Sequence, residues 1–206
     1  MHVLLSRFSQ LLALASSRDS SELSSAGQTV LAATAVLGTL AFSAIWGLAV
    51  GSTSASMALS SAYKVPLVIL LAGIASFPAA FLALRLLGAE LRARDLFLRF
   101  AAAMFTGSLI LAVLAPIVAI YYHTSISFGV PLALGSAIAA LAIAGLLFAR
   151  AAIRRAVSTG GWGRSITGVV VLVGLYSLAL LQIVAIASPI ISATTAFDSG
   201  VDGWLR

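Results

Sequence analysis

Few side chains in this chain of 206 residues are of the types that perform catalysis or bind metal ions. The chain has two histidines, His2 and His123, no cysteine and six acidic residues. A zinc site or an acid/base pair needs several such groups close together. The charge pattern described below predicts that the two histidines lie on opposite sides of a membrane, so they cannot share a metal ion. We therefore expect no metal site, no cofactor and no enzymatic activity.

A glycine-rich segment, TGGWG at residues 159–163, is the second place where chemistry could occur. Phosphate-binding loops place Lys-Ser or Lys-Thr after the glycines and a strand before them. This segment has neither feature. It is predicted to be a turn, with Trp162 at the membrane interface.

The composition is that of a membrane protein. Hydrophobic residues make up 61% of the chain and charged residues only 9%, whereas soluble domains contain roughly a quarter charged residues. A lipid bilayer accepts an apolar exterior that water does not. The net charge of +6 does not indicate nucleic-acid binding, because the arginines occur in short groups beside apolar stretches. The preference for Arg over Lys, with abundant Ala and Gly, points to a GC-rich bacterial genome.

Five apolar stretches are long enough to span a bilayer core about 30 Å thick, which needs roughly 20 helical residues. They are residues 29–50, 65–84, 100–121, 130–149 and 166–189. The fold class predicted from them is all-α, a polytopic membrane helix bundle of five transmembrane helices within residues 29–190. A short extracytoplasmic tail, 191–206, follows.

The N-terminal segment has a different pattern. Within residues 1–18, apolar side chains recur at helical spacing, with Ser, Arg and Gln on the other face. This pattern predicts an amphipathic interfacial helix that lies on the cytoplasmic membrane surface or against a partner helix. It is predicted to be retained, because no basic residue precedes its apolar part as in a signal peptide. Residues 19–28 are predicted to be a flexible polar link.

Basic residues indicate the orientation, because cytoplasmic connections collect Lys and Arg. The N-terminal segment and the second and fourth connections contain most of them, the first connection has only Lys64, and the third has none. This distribution predicts a protein of the bacterial inner membrane with a cytoplasmic N-terminus and an extracytoplasmic C-terminus. The predicted cytoplasmic anchors are Arg92, Arg94, Arg99, Arg150, Arg154, Arg155 and Arg164.

Small residues recur every four positions in three of the predicted spans, which places them along one helix face and allows a neighbouring backbone to approach. The rows are Ala35, Thr39, Ser43, Gly47 and Gly51; Ala72, Ser76 and Ala80; and Ser136, Ala140 and Ala144. We interpret them as packing faces, either within the chain or towards another subunit. Gln182 is predicted to form a hydrogen bond to another helix, the alternative being contact with a ligand.

Two prolines, Pro78 and Pro116, fall inside predicted helices, where each removes a backbone hydrogen bond and should kink the helix. Kinked helices occur in channels and transporters and also in structural bundles. Pro66 and Pro131 are predicted to lie at helix starts, where proline is accommodated easily.

The segments YKVPLVILLAGIASFPAAFLALRLLGAEL and LAPIVAIYY resemble a group of small, uncharacterised bacterial inner-membrane proteins. The shared features are a Lys-x-Pro-Leu helix start, a mid-helix proline, a Leu-Leu-Gly exit and an Ala-Pro-Ile in the next helix. In this sequence they are Lys64, Pro66, Leu67, Pro78, Leu86, Leu87, Gly88, Ala115, Pro116 and Ile117. The resemblance covers roughly residues 40–150 and implies a membrane fold without an implied activity. In topology alone, the chain is also similar to the Yip family of five-span membrane proteins.

Two functions from different classes are compatible with these features. The favoured one is a non-enzymatic subunit that packs through its small-residue faces in a larger membrane protein assembly. The alternative is a homo-oligomeric channel or carrier for a small neutral or lipidic solute, with the proline-containing helices lining the path. The expected partners are the lipid bilayer and other membrane protein subunits, and no nucleic acid.

Overall fold

The computed structural model describes residues 2–15, 24–86, 93–159 and 162–186. These ranges are almost entirely helical and contain no strand, which confirms the predicted all-α class. The helices are α1, His2–Ala15; α2, Ser25–Val50; α3, Ala55–Leu86; α4, Ala93–Thr124; α5, Ile126–Thr159; and α6, Trp162–Ile186.

Serine residues mark the points where several helices begin. Ser24 precedes α2, and its hydroxyl accepts a hydrogen bond from the backbone N–H of Gly27 at 3.2 Å. Ser54 precedes α3 and accepts from the backbone N–H of Met57 at 3.2 Å. Such side chains satisfy N–H groups that the first helical turn leaves without partners. Ser125 alone separates α4 from α5.

Four helical stretches are long and apolar enough to span a bilayer. They are Ser25–Val50, Ala55–Leu82, Ala93–Thr124 and Pro131–Arg150. In α6, the corresponding apolar stretch of described residues, Val169–Leu181, is shorter, so the fifth span stays a prediction. Large apolar side chains point outward along these helices, among them Leu37, Ile74, Val113, Ile138 and Val170. Such an exterior suits lipid, and these helices indicate a membrane location.

The predicted helix starts need correction. Helix α3 begins at Ala55, whereas the predicted span begins at residue 65, so Lys64 and Pro66 lie within the helix. Lys64 is buried, with 2% of its surface exposed. It lies near the periphery of the protein. Pro131 likewise lies inside α5. Hydropathy locates the apolar part of a helix, but the capping residues that start it lie outside that part.

Helices α2 to α6 close into a ring. Helix α2 packs against α3 and α4, α3 packs against α6, α6 against α5, and α5 against α4. The side chain of Arg94 donates hydrogen bonds to the Ser25 carbonyl and the Thr29 hydroxyl, so α2 and α4 begin at the same end of the ring. Met104 of α4 also lies against Gly73 of α3, so long side chains reach across the ring.

Helix α1 packs outside this ring against α2 and α4. Leu11 is fully buried, and the Phe8 ring lies 6.1 Å from Phe42 and 5.4 Å from Phe105 between centroids. Phe42 and Phe105 both belong to predicted spans. Two placements were predicted for this helix, on the membrane surface or against another helix. The structure shows α1 packed against helices of the same chain, and the position on the membrane surface is not confirmed.

The predicted anchors occupy one end of the ring where the structure describes them. Arg94 and Arg150 are exposed, and Arg99 is buried with 9% exposure, so it packs within the chain instead of extending from it. Arg92 and the side chains of Arg154, Arg155 and Arg164 lie outside the described residues. That this end faces the cytoplasm stays a prediction.

The predicted domain boundaries are only partly covered by the described residues. The polar link was predicted to reach residue 28, but α2 already begins at Ser25. Residues 16–23, the rest of that link, and the tail 191–206 lie outside the described ranges.

Candidate functional site

The small-residue row of α2 packs within the chain. Ala35, Thr39, Ser43, Gly47 and Gly51 are all buried. A Cβ atom added at Gly47 would lie 2.8 Å from the Ser61 carbonyl carbon, and one added at Gly51 would lie 2.6 Å from the Ala58 Cα. Both distances are too short for a side chain, so these glycines allow the backbones of α2 and α3 to touch.

The two polar members of this row form hydrogen bonds within their own helix. The Thr39 hydroxyl donates to the Ala35 carbonyl at 2.8 Å, and the Ser43 hydroxyl donates to the Thr39 carbonyl at 2.7 Å. Buried hydroxyls in helices commonly use these carbonyls, which satisfies the hydroxyl without a second helix. Thr39 and Ser43 therefore act as small packing residues.

The other two rows also face the interior. Ala72, Ser76 and Ala80 of α3 are buried. In α5, Ser136 and Ala140 are buried, and Ala144 lies 3.1 Å from a Cβ atom placed at Gly107 of α4. The predicted packing faces therefore lie within the chain, which was one of the two interpretations of the sequence.

Two glycines that contribute to packing were missed. A Cβ atom at Gly38 would lie 2.6 Å from the Phe105 ring, and Gly107 faces α5 as described above. Gly38 is adjacent to Thr39 in sequence but faces α4. The prediction from sequence considered only one packing face of α2, the row that contains Thr39. A second glycine beside a small-residue row is a signal that the helix packs on two sides.

The ring surrounds a partly open cavity of about 290 Å³ whose lining comes from all five helices and is almost entirely apolar. Val50 of α2 and Val68 of α3 lie on one side, and Leu111 of α4 and Leu172 of α6 on others. Much of the α5 wall consists of small residues, including Ala137. Short side chains leave this volume unfilled because the facing helices do not move in to take it up.

Two side-chain clusters hold the helices around this cavity. In the first, the indole N–H of Trp46 donates to the Ser136 hydroxyl at 3.1 Å and links α2 to α5. In the second, the Phe100 ring meets Phe148 at 6.4 Å and Tyr176 at 5.5 Å, both nearly edge to face. Ser136 and Phe148 are about 18 Å apart along α5 at the usual helical rise, so the cavity between the clusters is elongated.

A second cavity of about 330 Å³ lies between α2, α3 and α4. Phe100 and Met104 line both cavities and form the wall between them. Pro78 lines the second cavity, and Pro116 is exposed on the outside of α4. Neither proline belongs to the described lining of the central cavity, and the helices continue through both residues, so the expected kinks stay predictions.

The predicted absence of a metal site concerns His, Cys, Asp and Glu side chains. Among them, no three His, Cys, Asp or Glu side chains lie close enough to hold a metal ion. His123 is exposed in the last turn of α4. The side chain of Gln182 lies outside the described part of α6, so its predicted hydrogen bond stays a prediction. What the arrangement offers is a partly open apolar cavity, which suits binding of an apolar molecule.

The resemblance to small bacterial inner-membrane proteins and the topological likeness to the Yip family also stay predictions. Comparison of the chain with known protein families, with curated proteins and with solved structures gave no match.

Proposed function

We propose that this chain is an integral membrane protein that binds an apolar, lipidic molecule in the partly open cavity lined by α2 to α6. The observation that carries the proposal is the elongated apolar cavity of about 290 Å³ inside the ring. Ligand sites are typically concave, mostly apolar and roughly 300 Å³ or larger, and they often lie between the helices of a bundle.

The size of the cavity supports an occupant. Protein interiors have few voids larger than a water molecule, because unfilled volume forfeits packing contacts. Apolar cavities of about 150 Å³ already bind small apolar molecules. A bound hydrocarbon chain would restore the missing contacts.

The packing of the small-residue rows favours this role over assembly. The assembly function was inferred from sequence partly on rows that could face another subunit, and these rows are buried within the chain. The lining also argues against ion conduction, because a conducted ion needs carbonyl or charged groups along its path. A neutral apolar solute matches the lining.

The test is native mass spectrometry of the protein purified in mild detergent. Ala137 lines the cavity, and Ala139, on the same helix, is exposed and outside its lining. We expect the wild type and Ala139→Leu to retain a bound apolar species and Ala137→Leu to lose it. Retention that is equal in both variants, or no bound species in the wild type, would contradict the proposal.

A role as a subunit of a larger assembly is a second candidate, and helix α1 favours it. Ser6 and Ser9 are exposed on the outer face of α1, beside Phe8, which packs against residues of two predicted spans. Small hydroxyl side chains on an exposed helix face allow a neighbouring helix to approach closely. We propose that a second membrane subunit covers this face.

Because the chain has no cysteine, single thiols can test that subunit contact cleanly. A photo-crosslinker on Ser9→Cys in native membranes should give one adduct of defined mass. The same crosslinker on Ala139→Cys, at the outer face of α5, should give none. Adducts from both positions, or from neither, would argue against a subunit on α1.

We further propose the orientation inferred from the arginines, with the N-terminus in the cytoplasm of a bacterial cell. It is supported by the position of Arg94 and Arg150 at one end of the ring. A protease-sensitive tag after Arg206 should be cleaved from outside the inner membrane. Cleavage only after the membrane is opened would reverse the orientation.

A further inference from the structure

Tyr176 is one of three residues with a side-chain hydrogen-bond donor in the described lining of the central cavity. The residue lies near the middle of α6 and lines the cavity. Its ring is fixed by Phe100, with 5.5 Å between centroids and an angle of 82° between the planes. Within the described part of the chain, its hydroxyl forms no hydrogen bond.

The other polar side chains in the described lining already have partners. The Trp46 indole N–H donates to Ser136, and the Ser108 hydroxyl donates to the Phe105 carbonyl at 2.9 Å. Of the side-chain hydrogen-bond donors in this lining, the Tyr176 hydroxyl is therefore the one left for a ligand.

The second cavity provides a useful contrast. It is slightly larger, at about 330 Å³, and the one hydroxyl in its described lining belongs to Thr39. That hydroxyl donates to the Ala35 carbonyl within its own helix. The two cavities are similar in size but differ in chemistry. In their described linings, only the central cavity has a side-chain donor without a hydrogen-bond partner, the Tyr176 hydroxyl.

We propose that the ligand of the central cavity is an apolar molecule that carries an acceptor oxygen, such as a carbonyl, and that this oxygen accepts a hydrogen bond from the Tyr176 hydroxyl. This inference rests on the proposed function, because it names the chemistry of the molecule bound there. A phenol is a good donor, and a donor left without a partner in an apolar site is unfavourable. The remaining lining is apolar, so the rest of the ligand is hydrocarbon.

The arrangement also gives selectivity. A site built to form a hydrogen bond discriminates against an analogue that lacks the matching group, because its own polar group is then left without a partner. Tyr176 therefore favours a ketone over an alkane of the same length. The edge-to-face contact with Phe100 orients the ring before the ligand arrives, which reduces the entropy lost on binding.

The experiment compares a long-chain ketone with the alkane of equal length. Both are offered together to the detergent-purified full chain, and the bound species are distinguished by native mass spectrometry. The Tyr176→Phe variant removes only the hydroxyl and keeps the ring. We expect the wild type to prefer the ketone by several-fold, up to about tenfold, and the variant to bind both equally.

A spectroscopic measurement gives a second readout that a purely structural role would not change. With a ¹³C-labelled carbonyl, the infrared stretching band of the bound ketone should move to lower frequency in the wild type than in Tyr176→Phe. Equal bands in the two proteins would overturn the inference.

The possible failures are distinguishable. If the wild type binds both molecules equally, the hydrogen bond to Tyr176 is wrong and the cavity proposal stands. If the preference for the ketone persists in Tyr176→Phe, another group is the donor and the inference also fails. If neither molecule is retained, the proposed function itself fails.

Discussion

The contact between α2 and α3 and the central cavity are both lined by small residues, yet one is closed and the other is open. At Gly47, the α3 backbone lies where a side chain would begin, 2.8 Å from an added Cβ atom. Beside Ala137 of α5, a volume of about 290 Å³ remains. Small side chains permit close approach but do not enforce it.

The difference arises from what surrounds each set of small residues. Gly47 and Gly51 lie at the end of the row where the α2 and α3 backbones touch, whereas Thr39, earlier in the same row, lines the second cavity. Around the cavity, α4 and α5 touch at Gly107 and Ala144, but the cluster of Phe100, Phe148 and Tyr176 lies between α4 and α6 and spaces these two helices apart. Bulky residues near a small-residue stretch therefore convert a packing face into a cavity wall.

The largest effect is expected for Gly47→Ala. The added methyl group would meet the backbone of Ser61, which cannot move aside as a side chain can. We expect a loss of about 2–3 kcal/mol in the free energy of unfolding, as for overpacked cores. The measurement is denaturation in detergent followed by circular dichroism.

Gly135→Ala is the matched control for that substitution, because no atom lies within 4 Å of an added Cβ at Gly135. Alanine is the better helix former, so this variant should be unchanged or more stable by up to about 1 kcal/mol. Equal behaviour of the two variants would show that α2 and α3 are not in backbone contact.

The hydrogen bond between Trp46 and Ser136 should have a smaller effect. A double-mutant cycle with Trp46→Phe and Ser136→Ala isolates its contribution, because each variant removes one partner. We expect a coupling free energy of about 0.5–1.5 kcal/mol, measured from unfolding in detergent. A coupling near zero would mean that α2 and α5 are not joined at this point.

Ala137→Leu tests the cavity by adding a side chain where the structure has unfilled space. The added methylene groups enter unfilled volume, so we expect the ligand-free protein to be unchanged or stabilised by about 1 kcal/mol. The same thermal-melting assay with Ala139→Leu, on the exposed face, supplies the comparison. A clear destabilisation specific to Ala137→Leu would show that the cavity is already closed.

Gly145→Ala should cause no destabilisation and completes the comparison. An added Cβ would lie 3.9 Å from Val173, an ordinary contact distance, so this variant, like Gly135→Ala, should be unchanged or more stable by up to about 1 kcal/mol. Gly107→Ala should fall between Gly145→Ala and Gly47→Ala, because its Cβ would lie 3.1 Å from the Ala144 side chain. A different order of the three melting temperatures would contradict the helix spacings.

The sequence predicts the helices and their buried faces well. The row from Ala35 to Gly51 is buried along its whole length, because four-residue spacing is a property of the helix itself. Spacing does not reveal which helix a face meets, so packing within the chain and packing against another subunit could not be separated. The starts of α3 and α5 were also missed, because Ser54 and Ser125 precede the apolar residues by several positions.

The candidate site itself could not be predicted from the sequence. The bond between Trp46 and Ser136 joins residues from distant helices, and no local pattern signals it. A tryptophan inside a predicted span was still an available clue, because its N–H needs a partner in lipid. Tyr176 was visible as an isolated polar residue, but its position in a cavity wall depends on how five helices pack.

The central claim, that the helix ring holds an apolar molecule, can be tested through the fluorescence of Trp46, which lines the cavity. Trp162→Phe and Trp204→Phe leave it as the one tryptophan of the chain, since the sequence contains three. Titration with a dibrominated long-chain ketone in detergent should quench its emission saturably, at about one ligand per chain, and Ala137→Leu but not Ala139→Leu should abolish the quenching. Quenching that rises without saturation and equally in all three proteins would contradict the account.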